Sequence, residues 1–222
     1  MCTRYLTPAA AAIERFWGLR PGQMPPWDPV AVFPRAPGPF LRRAVHETGA
    51  VLEPVIGAWG LIPFFAKEPR VAYSTFNARF EELASKASYK TPWARGQRCV
   101  IPAAAFDEPN WETGRNVWWR FARRDGAPWG LAGLWNAWTD RATGEVHESY
   151  TMLTVNADHH PLMRRMHKPD PKFGPDEQDK RSVVAIERAD VEQWLYGTTA
   201  EAAALVQPPA MEAIDAGPAG AP

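Results

Sequence analysis

Cysteine is scarce in this chain. Only Cys2 and Cys99 occur in 222 residues, too few for a disulfide framework or a cysteine-built zinc site. An excess of either charge is missing too: 25 Lys and Arg face 25 Asp and Glu. That balance excludes a surface coated in basic charge, though not a local basic groove. No apolar run of about 18 residues or more occurs, so no membrane span is expected. The opening MCTRYLTPAA lacks the basic-then-apolar order of a secretory signal, and a soluble cytoplasmic protein is the expectation. No internal repeat is visible. What the chain does have is 45% apolar residues, 11 Trp and 23 Pro, with 23% charged residues. That composition suits a packed core rather than a disordered chain.

Thr7-Pro8 reads as a helix start, a hydroxyl cap followed by Pro at the first helical position. The helix would place Ile13, Phe16 and Trp17 on one face. Seven prolines from Pro21 to Pro39 exclude a helix there and predict an extended connection. Phe40–Arg43 and Val51–Trp59, around Glu47-Thr48-Gly49, read as a β-hairpin. Phe76, Phe80, Leu83 and Ala87 have helical spacing and predict a helix over 76–87. Strands are then expected over 98–106, 117–122, 129–138, 150–155 and 182–186, with turns at Asp125-Gly126 and Thr143-Gly144. A short helix over 189–195 would turn Trp194 inward, and the Ala-, Pro- and Gly-rich residues 201–222 predict a flexible tail. This order implies an α+β class: one β-rich domain over 1–200, mainly antiparallel strands with short flanking helices.

Cys2 carries the most chemistry. Loss of the initiator Met would leave an α-amine and a thiol on adjacent carbons, with ordinary pKa values of about 8 and 8.5. Such a pair reacts with an aldehyde: the amine forms a Schiff base and the thiol closes a five-membered thiazolidine. The competing reading makes Cys2 a small apolar residue of the first strand. Cys99, inside Arg98-Cys99-Val100-Ile101-Pro102, reads as a buried core thiol. Asn77 at the start of the expected helix is either a cap or a functional group. Arg79 would oppose the helix dipole there, which suggests an external anionic partner. After Phe106, Asp107 reads as a turn former and Glu108 as a half-buried carboxyl with a raised pKa, suited to proton transfer. Three of the five histidines fall between His159 and His167, among Arg164, Arg165 and Lys168. His160 and His167 are seven apart with no companion Glu at helical spacing. An acid–base histidine beside basic phosphate ligands fits that composition better than zinc.

Six strings occur in one order: MCTRY; Trp59-Gly60-Leu61-Ile62-Pro63; Asn77-Ala78-Arg79 with Glu81; Arg98-Cys99-Val100-Ile101-Pro102 through Phe106 and Glu108; Ala132-Gly133-Leu134-Trp135; and Pro161-Leu162-Met163 through His167. Together they resemble the SRAP family, the SOS response-associated peptidases or abasic-site processing proteins, from residue 2 to about Leu195. The resemblance implies a β-rich α+β fold around an N-terminal cysteine, and covalent capture of abasic sites in single-stranded DNA. It implies Cys2 as nucleophile, Asn77 as the active-site asparagine, Glu108 as acid or base, and His167 as the family histidine. Arg4, Arg79, Arg164, Arg165, Lys168, Lys180 and Arg181 are then candidate DNA contacts, with Trp118 as a stacking surface. The chain departs from the family where Thr3 replaces a usual Gly or Asn, Pro109 replaces a common Trp, and a longer polar insertion follows His167. Lyase and autopeptidase side activities, no metal, no small-molecule cofactor and a monomeric state complete the expectation. Two other classes stay open: a cysteine peptidase using Cys2 with His167, and a non-catalytic single-strand DNA binder.

Overall fold

Strands dominate the computed structural model, which describes residues 2–44, 49–174 and 177–220. Met1, and Glu47 and Thr48 of the expected hairpin turn, lie outside the described residues. In chain order the elements are β1 (Arg4–Leu6), α1 (Ala10–Trp17), β2 (Ala31–Val32), β3 (Pro37–Arg43), β4 (Leu52–Trp59), β5 (Asn77–Arg79), α2 (Lys90–Ala94), β6 (Arg98–Ala103), β7 (Ala105–Asn110) and β8 (Val117–Arg123). There follow β9 (Trp129–Thr139), β10 (Val146–Asn156), β11 (Arg181–Val183), α3 (Val191–Tyr196), α4 (Thr199–Ala203) and β12 (Ile214–Pro218). The expected α+β class, β-rich with short helices, is the observed one.

One sheet has the order β12-β8-β7-β1-β2, with every pair antiparallel. The other runs β10-β4-β3-β6-β9 and closes on itself through β9–β10, forming a small barrel. Closure removes the open edges that invite association. The long strand β10 joins four neighbours, antiparallel to β9 and β11 but parallel to β4 and β5. The expected hairpin of β3 and β4 is present, with Arg42 opposite Glu53.

Local chemistry explains where expectation and structure part. Thr7 does not cap α1. Its hydroxyl donates to the Val30 carbonyl and accepts from Val30 N–H and Trp27 Nε1, tying down the proline-rich connection. The helix itself begins after Ala9 without a side-chain cap and ends at Gly18, whose φ of 71° suits glycine. The helix expected over 76–87 is instead β5 followed by a 3-10 turn at Phe80–Glu82. Asn77, Ala78 and Arg79 pair with Met152, Leu153 and Thr154 of β10, satisfying buried backbone groups that a helix would leave without partners. The apolar stretch 98–106 divides at Ala104, whose N–H donates to the Leu6 carbonyl, so β6 belongs to the barrel and β7 to the open sheet.

The flexible tail expected from residue 201 is likewise replaced by structure through residue 218. Thr198 and Glu201 form a reciprocal capping box for α4. Beyond it, β12 pairs along β8, with Ile214 at 3% exposure in the core. Composition alone misreads this segment because its backbone completes a sheet.

Two apolar clusters flank the barrel wall. One joins Cys2, Tyr5, Phe40, Trp59, Phe106 and Trp129 between the sheets. The other packs Ile13, Trp17, Trp93 and Trp194 beneath the helices. Two of the buried indoles find carbonyl acceptors, Trp59 at Phe76 and Trp194 at Cys99. Tyr5 and Tyr150 hydrogen-bond hydroxyl to hydroxyl above Gly38, where any Cβ would collide with both oxygens. These contacts anchor β1, and with it Cys2, two residues ahead of the strand.

Candidate active site

Four elements bring Cys2, Asn77, Glu108 and His167 together. Cys2 lies just ahead of β1, fully buried, with its thiol donating to the Arg4 carbonyl at 3.3 Å. β1 lies beside β7, where consecutive residues face opposite sides. Asp107 turns to Arg4 at 3.1 Å and to Arg120 at 2.9 Å, whereas Glu108 turns to His167. Asp107 therefore anchors strands rather than forming a turn.

Asn77 starts β5, and its Nδ2 donates to the Cys2 carbonyl at 2.7 Å. Among the described residues its buried Oδ1 has no hydrogen-bond partner. The Tyr89 hydroxyl donates to the Asn77 carbonyl at 3.3 Å, which steadies the strand from behind.

His167 follows a 3-10 turn at Met163–Arg165 and has a φ of 62°, a backbone region that needs outside support in a non-glycine residue. Two flanking groups supply it. His167 N–H donates to the Pro109 carbonyl at 2.6 Å, and Lys180 Nζ donates to the carbonyls of His167 at 2.7 Å and Met166 at 2.8 Å. Nε2 of His167 then lies 2.8 Å from Oε2 of Glu108. The departure at Pro109 leaves this support in place, because the contact is made by its backbone carbonyl.

Electrostatics at the site runs against one expectation. Glu108 is fully buried, not half-buried, and its pKa is lowered, not raised. Burial opposes the charge, but the chain's amino-terminal charge and His167 together outweigh that penalty. The Cys2 thiol moves the other way: burial pushes it far up, and the Glu108 carboxylate adds to the effect. Cys99, also buried, is raised by the same desolvation.

The seven candidate cations divide. Arg164 and Lys168 are exposed, Lys168 with its ammonium 5.4 Å from the Trp111 ring centre. Arg165 clamps Glu112 with two bonds of 2.7 Å, and its guanidinium lies 5.1 Å from the Trp119 ring centre. Arg4 is held by Asp107. Arg79, expected at a helix start, stands in β5 and pairs with Asp179 at 2.8 Å. Lys180 and Arg181 are buried at 7% and 5% exposure. Arg181 is spent on Glu81, Asp179 and the Thr154 carbonyl, so this pair shapes the site from within. Arg79, His167, Lys168, Lys180 and Arg181 nevertheless line one cleft of about 430 Å3. Trp118, the expected stacking surface, is half-buried. His160 is structural: its Nδ1 accepts the N–H groups of Leu162 and Met163 while Nε2 meets the Pro209 carbonyl. The supporting roles of Lys180, Pro109 and Tyr89 left no local sequence signal, because each is a contact to distant backbone.

Among the described residues no group of three or more His, Cys, Asp or Glu side chains could hold a metal ion, and no helix is long and apolar enough to cross a membrane.

Comparison with known proteins joins this geometry to a family. A family model described as SOS response associated peptidase (SRAP) matches residues 1–220. The abasic site processing protein YoqW of Bacillus subtilis is 32% identical over 123 residues, 55% of this chain and 53% of that protein. The abasic site processing protein HMCES of Gallus gallus is 29% identical over 151 residues, 56% of this chain and 44% of its own length. The chain thus spans about half the length of the curated relatives it matches. A solved structure from Bordetella bronchiseptica is 31% identical with a TM-score of 0.84, covering 99% of this chain and 100% of the other. One from Bacteroides thetaiotaomicron, at 21% identity and a TM-score of 0.71 over 97% and 90% of the two chains, shares the fold.

Proposed function

This chain belongs to the SOS response associated peptidase family, and from that premise we propose that it captures abasic sites in single-stranded DNA covalently through Cys2. The observation that carries the reading is the bond from Asn77 Nδ2 to the Cys2 carbonyl, which fixes the nucleophilic residue beside the Glu108–His167 pair. The relatives named abasic site processing proteins support the substrate class.

Removal of Met1 frees the Cys2 α-amine. An abasic deoxyribose opens to an aldehyde, and the amine adds to that carbon. Glu108 relays the two N–H protons of the attacking amine, one after the other, to the former carbonyl oxygen, which leaves as water and gives the neutral imine. Asn77 Oδ1 accepts from a sugar hydroxyl and orients the ring. The Cys2 thiol, held protonated by burial, waits as S–H until the Schiff base exists. Its sulfur then adds to the imine carbon while the proton moves to nitrogen, closing the thiazolidine with no further reagent. Before that closure the Schiff base also permits strand cleavage by β-elimination. Arg4, Arg79, Arg164, Arg165 and Lys168 are the cations offered to phosphates.

A peptidase acting on other proteins draws less support. Such an enzyme pairs thiol with imidazole, whereas the Cys2 thiol donates to Arg4 and the His167 Nε2 meets Glu108. The test is a denaturing gel of the chain, as wild type, Cys2→Ser and Cys2→Ala, mixed with a single strand carrying one abasic site. Wild type is expected to give a heat-stable shifted band that both variants lack. Intact mass confirms loss of Met1; with that terminus verified, absence of the band refutes capture.

A further inference from the structure

Beside His167 the fold already neutralises an arginine that a phosphate would seek. Nη2 of Arg79 lies 2.8 Å from Oδ2 of Asp179, and Nη1 of Arg181 lies 3.0 Å from Oδ1 of the same carboxylate. The two arginines differ in access. The Arg181 side chain is buried and bound also to Glu81, whereas the Arg79 and Asp179 side chains are 42% and 40% exposed. Their pair stands on the wall of the cleft that His167 lines. Glu82 approaches Arg79 only to 3.9 Å, so Asp179 is its close partner.

The position of Asp179 is fixed by more than this ion pair. Its N–H donates to Oδ2 of Asp158 at 3.1 Å, and the following N–H, of Lys180, donates to Oδ1 of Asp158 at 2.8 Å. Its backbone has a φ of 50°. The polar stretch after His167 therefore delivers a carboxylate oxygen to the Arg79 guanidinium, where a phosphate oxygen would otherwise sit.

We infer that Asp179 sets specificity: its carboxylate competes with DNA phosphate for Arg79 and weakens the grip on undamaged strands. Retention then depends on reaction at Cys2 rather than on charge. This rests on the reading of the chain as a capturer of abasic sites. It fits a protein with 25 cationic and 25 acidic side chains, which has no surplus of positive charge to override one carboxylate. An exposed ion pair is weak enough for a phosphate to displace, yet its loss should tighten binding roughly two- to five-fold. One more cation freed for phosphate should also steepen the salt dependence of single-strand binding by about 0.7 in logarithmic slope.

The test uses fluorescence anisotropy with a labelled single-stranded oligonucleotide that contains no abasic site. Asp179→Asn keeps the shape and suits a left-handed backbone, and Asp179→Gly removes the side chain while easing that backbone. Thermal melting confirms that each variant is folded. Both are expected to bind about two- to five-fold tighter than wild type at low salt, with the steeper slope. In an Arg79→Ala background the same substitutions are expected to change nothing, an outcome that a merely structural role for Asp179 does not produce. Equal affinity of wild type and both variants, or a gain that survives Arg79→Ala, overturns the inference. Crosslinking of the wild-type chain to an abasic strand, run on the same preparation, tests capture separately, so failure of one reading is not mistaken for failure of the other.

Discussion

Oε2 of Glu108 and Nε2 of His167 lie 2.8 Å apart, with the Glu108 side chain 1% exposed, and this pair links the fold to pH. Burial resists the Glu108 charge, but the positive charges around it hold its pKa below the ordinary value. A lowered carboxyl pKa stabilises the folded state above the unfolded value of about 4.3. That contribution is lost as pH falls through the folded value. Glu108→Gln removes it. The melting temperature of wild type should therefore exceed that of Glu108→Gln most between about pH 5 and 7, and the gap should narrow towards about pH 3. A gap independent of pH would mean that the carboxylate is not the stabilising form.

Both thiols should be slow to react in the folded chain. Cys2 and Cys99 are fully buried and their pKa values are raised, chiefly by desolvation. Thiolate is the reactive species, so little of it forms at neutral pH. A disulfide reagent at about pH 8 is expected to modify fewer than about 0.2 equivalents in the first minutes. Guanidinium should then release both cysteines. One rapid equivalent in the folded protein would contradict a protonated, waiting Cys2 thiol.

Much of the frame could be read locally. Ile13 and Trp17 mark the buried face of α1, and Gly126 and Gly144 take φ values of 73° and 76° in the expected turns. What local pattern could not settle was pairing across the chain. The spacing of Phe76, Phe80 and Leu83 suits a helix, but it equally suits a strand followed by a tight turn. Only β10, with Met152 opposite Asn77, decides between them. The four candidate residues Cys2, Asn77, Glu108 and His167 could be named from their order in family-like strings. Their electrostatics was not, because the state of Glu108 depends on His167, 59 positions away. Lys180 and Arg181 read as surface cations, yet long-range carbonyl and carboxylate partners draw both inside.

Asn77 offers a graded test. Asn77→Ala deletes the donor to the Cys2 carbonyl and should cost about 1–3 kcal/mol if that acceptor stays unsatisfied. Asn77→Asp instead sets a carboxylate oxygen against the carbonyl oxygen, and is expected to be less stable than the alanine variant at neutral pH. Lowering the pH should rescue Asn77→Asp, because the protonated carboxyl regains a donor. Denaturant unfolding of the three proteins at two pH values checks the order. Equal stability of all three proteins would show that the bond to Cys2 contributes nothing.

Lys180 is expected to matter through His167 rather than through DNA charge. Its ammonium donates to the carbonyls of Met166 and His167, holding a histidine at a φ of 62°. Lys180→Met preserves the apolar stem but removes both donors, with an expected cost of about 2–4 kcal/mol, or roughly 5–10 °C in melting temperature. If Lys180 acted mainly as a phosphate contact, its loss would weaken DNA binding and leave stability almost unchanged. The structure favours the reverse: lower stability, a slower crosslinking rate at saturating DNA, and little change in affinity for an undamaged strand. Melting, single-turnover crosslinking and anisotropy on this one variant separate the two roles. A stable variant with weakened binding would place Lys180 among the phosphate ligands after all.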